Sequence, residues 1–107
     1  MKVIYVAGKY RSTTEWGLVQ NIRQAESAAL ELWRQGWAVI CPHKNTAHFG
    51  GLMKDAEDDH QLWLRGDLEI LKRCDAIFML ANWVNSKGAQ LELEEARKRG
   101  LEIYYEN

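Results

Sequence analysis

Three short apolar runs and a fourth run interrupted by Glu102, separated by three stretches of helical periodicity, constrain the fold of this chain more than any other feature. The runs cover residues 3–7, 37–41, 76–81 and 101–105. Continuous apolar runs of this length are typical of strands buried on both faces, as in a parallel sheet. The segments between them carry apolar residues three and four positions apart, a spacing that places them on one helix face. The sequence therefore predicts a β-α-β-α-β-α-β order and an α/β fold with helices packed on a parallel sheet.

The loops that follow the predicted strands should meet at one edge of the sheet. Right-handed crossovers place the carboxyl ends of parallel strands together, and ligands bind at that edge in open α/β sheets. The loops concerned cover residues 8–14, 42–56 and 82–88. The segment from His43 to Ala56 is the longest one without periodicity, and its length favours a lid or a binding loop. We therefore expect the functional residues in or beside these loops.

The composition excludes several classes of function. Lys and Arg together number 14 and Asp and Glu 15, so the formal net charge is −1. A surface that binds along nucleic acid or holds on to an anionic membrane needs an excess of basic residues instead. Apolar residues make up 47% and charged residues 27%, which is typical of an ordered globular domain. We expect one domain over residues 1–107, with neither a membrane nor polymeric nucleic acid as its partner.

The cysteine count and the start of the chain favour a reducing compartment. Cys41 and Cys74 are too few for a disulfide framework, so both thiols are expected to be free. The apolar start at residues 1–7 is too short for a signal peptide, because Gly8 and Lys9 interrupt it. No apolar run approaches the roughly 18 residues that a membrane helix needs. The predicted location is the cytoplasm.

The segment SKGAQLE, from Ser86 to Glu92, is the most informative motif. It lies where the third strand turns into the third helix, at the predicted ligand edge. Gly88 would let the backbone approach a ligand, and the exposed N–H groups of a helix N-terminus favour anions. Spacing alone also allows a plainer interpretation. Ser86 would then be an N-cap, and Glu92 an ordinary solvated residue beside Glu94 and Glu95.

Two further segments carry polar residues near the same edge, with weaker signals. Asp67 lies on the helix that leads into the third strand, and spacing alone predicts that it faces solvent. Asp75 opens that strand and is expected to cap a turn. The segment YVAGKYRS, residues 5–12, resembles a phosphate-binding loop in combining Gly, Lys, Arg and Ser. It contains neither G-x-x-x-x-G-K-[ST] nor G-x-G-x-x-G, so the nucleoside-triphosphate and dinucleotide fingerprints are absent from it.

Metal and serine-nucleophile chemistry find little support in the sequence. Cys41, His43, His48 and His60 do not have a strong zinc spacing, and no C-x-x-C accompanies them. We predict no metal site. His43 and His48 could instead donate hydrogen bonds to a ligand from the long loop. The sequence also lacks the G-x-S-x-G elbow of serine hydrolases.

Taken together, these segments resemble a group of small bacterial and phage proteins within the nucleoside 2-deoxyribosyltransferase-like superfamily. The resemblance runs over nearly the whole chain and implies a flavodoxin-like, three-layer α/β/α sandwich with a short parallel sheet of about four strands. Its best-marked parts are the first strand with its loop and the Ser-x-Gly-Ala-x-x-Glu turn. The matching segments are YVAGKYRS at residues 5–12, Asn21 with Ala25, Cys41-Pro42-His43, Asp67 with Cys74-Asp75, and Trp83-x-x-Ser86-x-Gly88-Ala89-x-x-Glu92-x-x-x-Ala96.

The resemblance implies a reaction at the N-glycosidic bond. Characterised members of the superfamily are nucleoside deoxyribosyltransferases and 2′-deoxynucleoside 5′-monophosphate N-glycosidases. Like their catalytic Glu, Glu92 stands six positions after a Ser, Ser86, and four before an Ala, Ala96. A carboxylate there can stabilise or attack the oxocarbenium-like C1′ centre. Asp67 stands eight residues before Asp75, as a family Asp does, and is the implied acid that protonates the departing base.

The resemblance also implies a substrate that carries a 5′-phosphate. The nucleoside transferases resemble one another in having a carboxylate at the position of Ser86, whereas the monophosphate glycosidases have Ser. A neutral hydroxyl beside helix N–H groups tolerates a phosphate dianion that a carboxylate would repel. Tyr5 matches a substrate-contacting Tyr, and Lys87 lies next to the turn. The implied substrate-binding residues are Tyr5, Gly8, Tyr10, Arg11, Ser12, His43, Ser86 and Gly88. No cofactor is implied.

The chain departs from the family pattern at two points. The family's fifth strand and last helix have no counterpart after the fourth predicted strand, and Lys9 stands where this group more often has Pro. In the relatives a neighbouring subunit helps to complete the site, and a shorter chain would depend on this more. We therefore expect a homodimer or a larger homo-oligomer.

Three functions remain open from the sequence. The first is hydrolysis of (deoxy)nucleoside 5′-monophosphates through Glu92. The second is transfer of deoxyribose between bases, against which the absent carboxylate at position 86 counts. The third is a nucleotide-sensing module that uses the same pocket without turnover. Loss of base release in Glu92→Ala would separate the enzymes from the sensor.

Overall fold

The computed structural model describes residues 1–45 and 56–107. Strands and helices alternate along the chain, with a four-residue helix after the second strand and a 3₁₀ turn after the third. The elements are β1 (Val3–Ala7), α1 (Glu15–Arg34), β2 (Ala38–Ile40), α2 (Pro42–Asn45), α3 (Ala56–Leu71), β3 (Ala76–Met79), the 3₁₀ turn (Ala81–Asn85), α4 (Lys87–Arg99) and β4 (Glu102–Tyr105).

The four described strands form one parallel sheet in the order β2-β1-β3-β4. β1 and β3 lie in the middle, where Tyr5 is in register with Ile77 and Ala7 with Met79. The predicted α/β fold with a parallel sheet of about four strands is therefore confirmed. The strand order reverses between β1 and β3, so the loops that follow these two strands lead in opposite directions. They leave a crevice between them at the carboxyl edge of the sheet.

Helices cover the two faces of the sheet with separate apolar clusters. Alternation along β1 directs Ile4 and Val6 to one face and Tyr5 and Ala7 to the other. The first cluster includes Ala25, Ala29 and Leu32 of α1. The second cluster packs the Tyr5 face against α3 and α4, through Leu71, Ala89, Leu93 and Ala96. The arrangement is the predicted three-layer sandwich, and it places Tyr5 beneath α4.

The ends of the helices follow from their capping residues. Thr14 precedes α1, and its side chain accepts a hydrogen bond from the Gly17 amide at 2.9 Å. Gly100 ends α4 with φ 69°, a left-handed conformation in which a side chain would be strained. Asp75, expected to cap a turn, instead accepts a hydrogen bond from the Val3 amide at 2.8 Å. Its carboxylate therefore ties the start of β1 to the start of β3.

The loop predictions need correction at their ends. The chain after β2 is helical over Pro42–Asn45, because Pro suits the first turn of a helix. α3 begins at Ala56, where an irregular segment was predicted to end. A 3₁₀ turn fills most of the loop predicted over residues 82–88, and α4 already begins at Lys87. The lid predicted from the long irregular stretch falls on residues 46–55, which lie outside the described residues.

Two expectations drawn from composition can be compared with the structure directly. Cys41 and Cys74 are both free, as expected. Cys74 is buried and donates a weak hydrogen bond to the Ile70 carbonyl at 3.4 Å, which is typical of a cysteine used for packing. Within residues 1–45 and 56–107, none of the helices combines the length and apolar character that crossing a membrane requires.

Candidate active site

Glu92 is buried because of its position on α4. The helix packs on the sheet through Ala89, Leu93 and Ala96, which recur at helical spacing. Glu92 follows Ala89 by three positions, so it belongs to the same face. Its exposed fraction is 7%. Glu92 is therefore not the solvated surface residue that spacing alone allowed, and a buried carboxyl group needs a partner.

That partner is Tyr5 of β1, whose hydroxyl donates a hydrogen bond to Oε2 of Glu92. Tyr5 has no exposed surface. The pKa of Glu92 is raised to about 8: burial is the largest cause, the hydrogen bond from Tyr5 opposes it, and the nearby charge of Asp67 adds to it. The pKa of Tyr5 is also raised, by burial and then by the charges of Glu92 and Asp67. Tyr5 therefore stays a neutral hydrogen-bond donor.

Asp67 supplies a second carboxyl group to the same region from α3. It is only half-exposed, and burial raises its pKa to about 6. Its charge acts on both Glu92 and Tyr5, so the three groups lie within electrostatic range of one another. The expectation that Asp67 faces solvent is therefore wrong: the helix turns this residue towards α4 and the sheet. Asp67 and Glu92 thus form a pair of neighbouring carboxyl groups with unequal pKa values, of which Glu92 keeps its proton to the higher pH.

Ser86 caps the helix that carries Glu92. Its Oγ accepts a hydrogen bond from the Ala89 amide at 3.1 Å, as the N-cap interpretation predicted. This bond leaves the hydroxyl proton available as a donor. A Cβ placed on Gly88 would lie 3.9 Å from Ser86 Oγ and 4.0 Å from Leu64 Cδ1 of α3. The first turn of α4 therefore lies close to the turn of α3 that precedes Asp67.

The loop after β1 is held by two side chains from other elements. The Lys9 amide donates a hydrogen bond to Asn82 Oδ1 at 2.8 Å. The Lys9 carbonyl lies 2.9 Å from Nε2 of His43, and because a carbonyl only accepts, Nε2 carries the proton. His43 is 5% exposed, and burial lowers its pKa, so the ring is neutral. In this structure His43 fixes the loop; its predicted contact with a ligand stays a prediction.

The rest of this loop is anchored to α1. Asn21 Nδ2 donates to the Tyr10 carbonyl at 3.0 Å and to the Arg11 carbonyl at 3.3 Å. The ring of Tyr10 meets that of His43 edge-on, with 5.6 Å between the centroids. Ser12 packs against Gly17 in the first turn of α1, where its Oγ accepts from the Thr14 amide at 3.3 Å. These contacts place the loop at the carboxyl edge with the side chain of Arg11 exposed.

The predicted site residues thus fall into two groups. One group surrounds Glu92, and the other belongs to the loop after β1. No hydrogen bond or ion pair in the described part of the chain joins Arg11 or Ser12 to the first group. The first group is Tyr5, Asp67, Ser86, Gly88 and Glu92; the second is Gly8, Tyr10, Arg11, Ser12 and His43.

The structure adds Asn82, which sequence reasoning treated as an ordinary loop residue. The signal for it was its position, because Asn82 comes three residues after the end of β3 at the ligand edge. Asn82 Nδ2 also donates to Gln24 of α1 at 3.3 Å. Among the metal-ligand candidates, His48 and the side chain of His60 lie outside the described residues. Within the described residues, no group of His, Cys, Asp and Glu has the arrangement of a metal site.

Comparison with known proteins agrees with this architecture. A solved structure of the 2-deoxyribosyltransferase from the psychrotolerant bacterium Bacillus psychrosaccharolyticus superposes with a TM-score of 0.72 and 18% sequence identity. The alignment covers 96% of this chain and 70% of that one, and confirms the predicted deoxyribosyltransferase-like fold. No curated protein sequence matches the chain. A family model described as domain of unknown function DUF4406 matches residues 2–105, and the chain belongs to that family.

Proposed function

We propose that this protein is an N-glycosidase that hydrolyses the N-glycosidic bond of (deoxy)nucleoside 5′-monophosphates. The observation that carries the proposal is the buried Glu92 carboxyl group, held by the Tyr5 hydroxyl and flanked by Asp67. A buried carboxyl group with a second, half-buried one beside it, next to a crevice at the carboxyl edge of a parallel sheet, is suited to a cationic transition state. The fold shared with a 2-deoxyribosyltransferase supports the same class of bond.

Each residue has a distinct part in the proposed reaction. The bond between C1′ and the base nitrogen breaks with its electron pair leaving on the base, which takes the proton of Asp67. An ionised Glu92 oxygen bonds to C1′ and forms a glycosyl-enzyme. Water then attacks C1′, gives its proton to the Asp67 carboxylate and releases Glu92. Tyr5 orients the carboxylate through its hydrogen bond.

The first turn of α4 supports a substrate with a 5′-phosphate. Ser86 presents a neutral hydroxyl at the helix N-terminus, and Gly88 leaves the backbone amides open to an anion. A carboxylate at position 86 would repel a phosphate dianion placed there. Lys87 is exposed on the same turn and adds positive charge. A nucleoside monophosphate therefore fits this end of the site better than an unphosphorylated nucleoside.

Transfer of deoxyribose to a second base is the other candidate function. It is favoured by one observation, the fold likeness to a protein characterised as a 2-deoxyribosyltransferase. The two reactions share the glycosyl-enzyme and differ only in whether water or a base attacks C1′ afterwards. Adding an excess of a second base distinguishes them, because a transferase forms the new nucleotide whereas a hydrolase still releases the free sugar phosphate.

The deciding experiment is base release from a panel of ribo- and deoxyribonucleoside 5′-monophosphates and their nucleosides, followed by chromatography. We expect release from monophosphates and a loss of more than about 10³-fold in Glu92→Ala, because the nucleophile is removed. Glu94→Ala is the matched control, since Glu94 is exposed on the same helix. Unchanged release in Glu92→Ala would overturn the proposal. Nucleotide binding without any release would favour the sensing module.

The acid role of Asp67 has its own test. A 7-methylated purine nucleotide carries a cationic base that departs without needing a proton. Asp67→Asn should therefore slow release of ordinary bases by about 10²- to 10⁴-fold and affect the methylated substrate much less. Equal losses on both substrates would show that Asp67 does not protonate the base.

A further inference from the structure

α1 carries a second apolar stripe that does not face the sheet. Its core face contains Ala25, Ala29 and Leu32, which are buried. At 100° per residue, the second stripe is centred about 120° from this core face. Surface apolar residues scattered singly are normal, but several large ones aligned along one side of a helix indicate a partner. The stripe consists of Trp16, Val19, Leu30 and Trp33, with exposed fractions of 61%, 36%, 52% and 52%.

The stripe has the spacing of a coiled-coil seam. Arg23 and Glu26 fill the gap between its two apolar halves, so that intervals of three and four residues alternate from position 16 to position 33. Such alternation keeps one line of side chains facing a second helix. The seam extends over 17 intervals of helix, which at 1.5 Å per residue is about 26 Å.

The residues of the seam are arranged symmetrically about its centre. Each pair of equivalent positions has the same midpoint, halfway between residues 24 and 25. A two-fold axis through that point would pair the helix with an antiparallel copy of itself. Apolar residues would then meet apolar residues at the two ends of the seam, and opposite charges would meet at its centre. The resulting pairs are Trp16 with Trp33, Val19 with Leu30, and Arg23 with Glu26.

The central charges lack each other as partners within one chain. Arg23 and Glu26 are three residues apart, yet they form no ion pair, and Arg23 forms none with any residue of the described ranges. Glu26 Oε1 forms an ion pair with Lys44 Nζ at 2.6 Å. Its carboxylate can accept from a second cation, and an antiparallel copy would supply Arg23 on both sides of the axis. Charge complementarity therefore favours a second copy of this chain as the occupant.

The surface beside the seam has room for the end of a partner helix. A groove of about 530 Å³ runs between α1 and the edge strand β2, and it is mainly apolar. Leu30 and Trp33 form one wall, and Val39 and Ile40 of β2 line the other side. Antiparallel pairing brings Trp16 of the second copy opposite Trp33, next to this groove. A tryptophan seated there would bury a large apolar area.

We propose that two copies of this chain form a symmetric dimer through antiparallel pairing of their α1 helices. The resemblance of the sequence implied an oligomer, but it named no surface. The pattern of α1 and the groove assign the surface, the orientation and the central Arg23–Glu26 pairs. The dimer can be tested separately from the proposed glycosidase reaction, since no residue of the Glu92 group belongs to the seam.

Charge reversal at the two central positions tests this geometry. In Arg23→Glu, both central contacts join like charges, and the same is true of Glu26→Arg. Each variant alone should have its dimer dissociation constant raised by about tenfold or more. When the two variants are mixed, every central contact joins Glu with Arg, so the mixture should form a heterodimer of nearly wild-type affinity. Analytical ultracentrifugation and native mass spectrometry measure both quantities.

The controls separate the seam from nonspecific charge effects. Glu31→Arg changes the charge of an exposed residue on another side of α1, and Lys98→Glu reverses an exposed charge on α4, on the other face of the sheet. Both should leave the dimer intact, while Leu30→Asp should give a folded monomer. A wild-type protein that stays monomeric throughout the concentration series would overturn the proposal. So would a dimer that the single charge reversals do not weaken, or weakened variants that do not recover on mixing.

Discussion

Glu92 and Asp67 lie in one weakly solvated region, so their protons leave in two linked steps. Burial raises the pKa of Asp67 to about 6 and that of Glu92 to about 8. At neutral pH the pair therefore holds a single proton, which the two carboxyl groups share between them. The higher pKa of Glu92 places that proton mainly on Glu92, whereas the proposed reaction proceeds from the less populated arrangement, with the proton on Asp67 and Glu92 ionised. The fraction of the protein that carries the proton on Asp67 sets the maximal rate. The two pKa values set the pH range over which this rate is reached.

We predict a bell-shaped dependence of kcat/KM on pH, with limbs near pH 6 and pH 8. Below the first limb both carboxyl groups are protonated and no nucleophile exists; above the second both are ionised and no acid remains. Tyr5→Phe removes the hydrogen bond that lowers the pKa of Glu92, so its alkaline limb should move to higher pH. A rate that continued to rise with pH well beyond 8 would contradict the assignment.

Burial of Glu92 should also make the folding stability depend on pH. The unfolded chain loses this proton near pH 4.5 and the folded protein only near pH 8, so the folded state binds more protons in between. Stability therefore falls as pH rises through this window, by at most about 1.4 kcal/mol per pH unit. We expect the Tm of Glu92→Gln, relative to wild type, to increase from pH 5 to pH 8 and then to level off.

Glu94→Gln serves as the comparison, because Glu94 is exposed on the same helix. Its Tm should follow that of the wild type across the series. A constant difference between Glu92→Gln and the wild type would show that Glu92 ionises at an ordinary pH in the folded protein. The same result would place the alkaline limb of activity on another group.

At the scale of elements, the site depends on how closely the chain after β1 approaches the chain after β3. Gly8 is buried where the two meet. A Cβ at Gly8 would lie 2.5 Å from Leu80 Cδ1 and 2.9 Å from Asn82 Oδ1. Asn82 Oδ1 is also the atom that accepts the hydrogen bond from the Lys9 amide. Glycine at position 8 therefore permits the contact that positions the loop.

Gly8→Ala should destabilise the protein by about 1 to 3 kcal/mol, because the added methyl must displace Leu80 or Asn82. Gly66→Ala is the opposite case: a Cβ there meets nothing within 4 Å, and the residue lies inside α3. That variant should gain about 0.5 to 1 kcal/mol. Urea unfolding measures both changes. Equal and small effects would show that the loop adapts to the methyl group.

The sequence was sufficient for the strands but not for the short elements between them. The buried strands β1, β2 and β3 are visible as continuous apolar segments, whereas β4 was predicted from a segment that includes Glu102 and lies mostly exposed at the edge of the sheet. The helix at Pro42–Asn45 has only four residues, too few for periodicity to appear. The 3₁₀ turn at Ala81–Asn85 follows an apolar run directly, so the run seemed two residues longer than β3 is. Both misjudgements concern local hydrogen bonding rather than burial.

The candidate site was predictable to a similar degree. Glu92 lies among the apolar positions Ala89, Leu93 and Ala96, which is a signal for burial that its neighbours Glu94 and Glu95 conceal. The burial of Asp67 depends on how α3 lies against α4, and no local pattern records this. The link from His43 to Lys9 joins residues 34 positions apart. Only the tertiary structure brings these two together.

At the scale of the whole molecule, the site is built on the most protected part of the sheet. β1 has strands on both sides, and Ile4, Tyr5 and Val6 have no exposed surface. β4 is an edge strand, with Tyr104 and Tyr105 exposed by 41% and 47%. Interior strands open only when the whole domain unfolds, whereas edge strands can open locally. The Tyr5–Glu92 contact should therefore persist when β4 separates from β3.

We predict that native-state hydrogen exchange will show this difference between strands. Amides of β1, including that of Tyr5, should exchange with a free energy close to that of global unfolding and should respond fully to low concentrations of denaturant. Amides of β4 should exchange with a lower free energy that hardly depends on denaturant, because local opening exposes little surface. Equal protection of the two strands would mean that the sheet opens as one unit. The Tyr5–Glu92 contact would then open with the same free energy as the edge of the sheet.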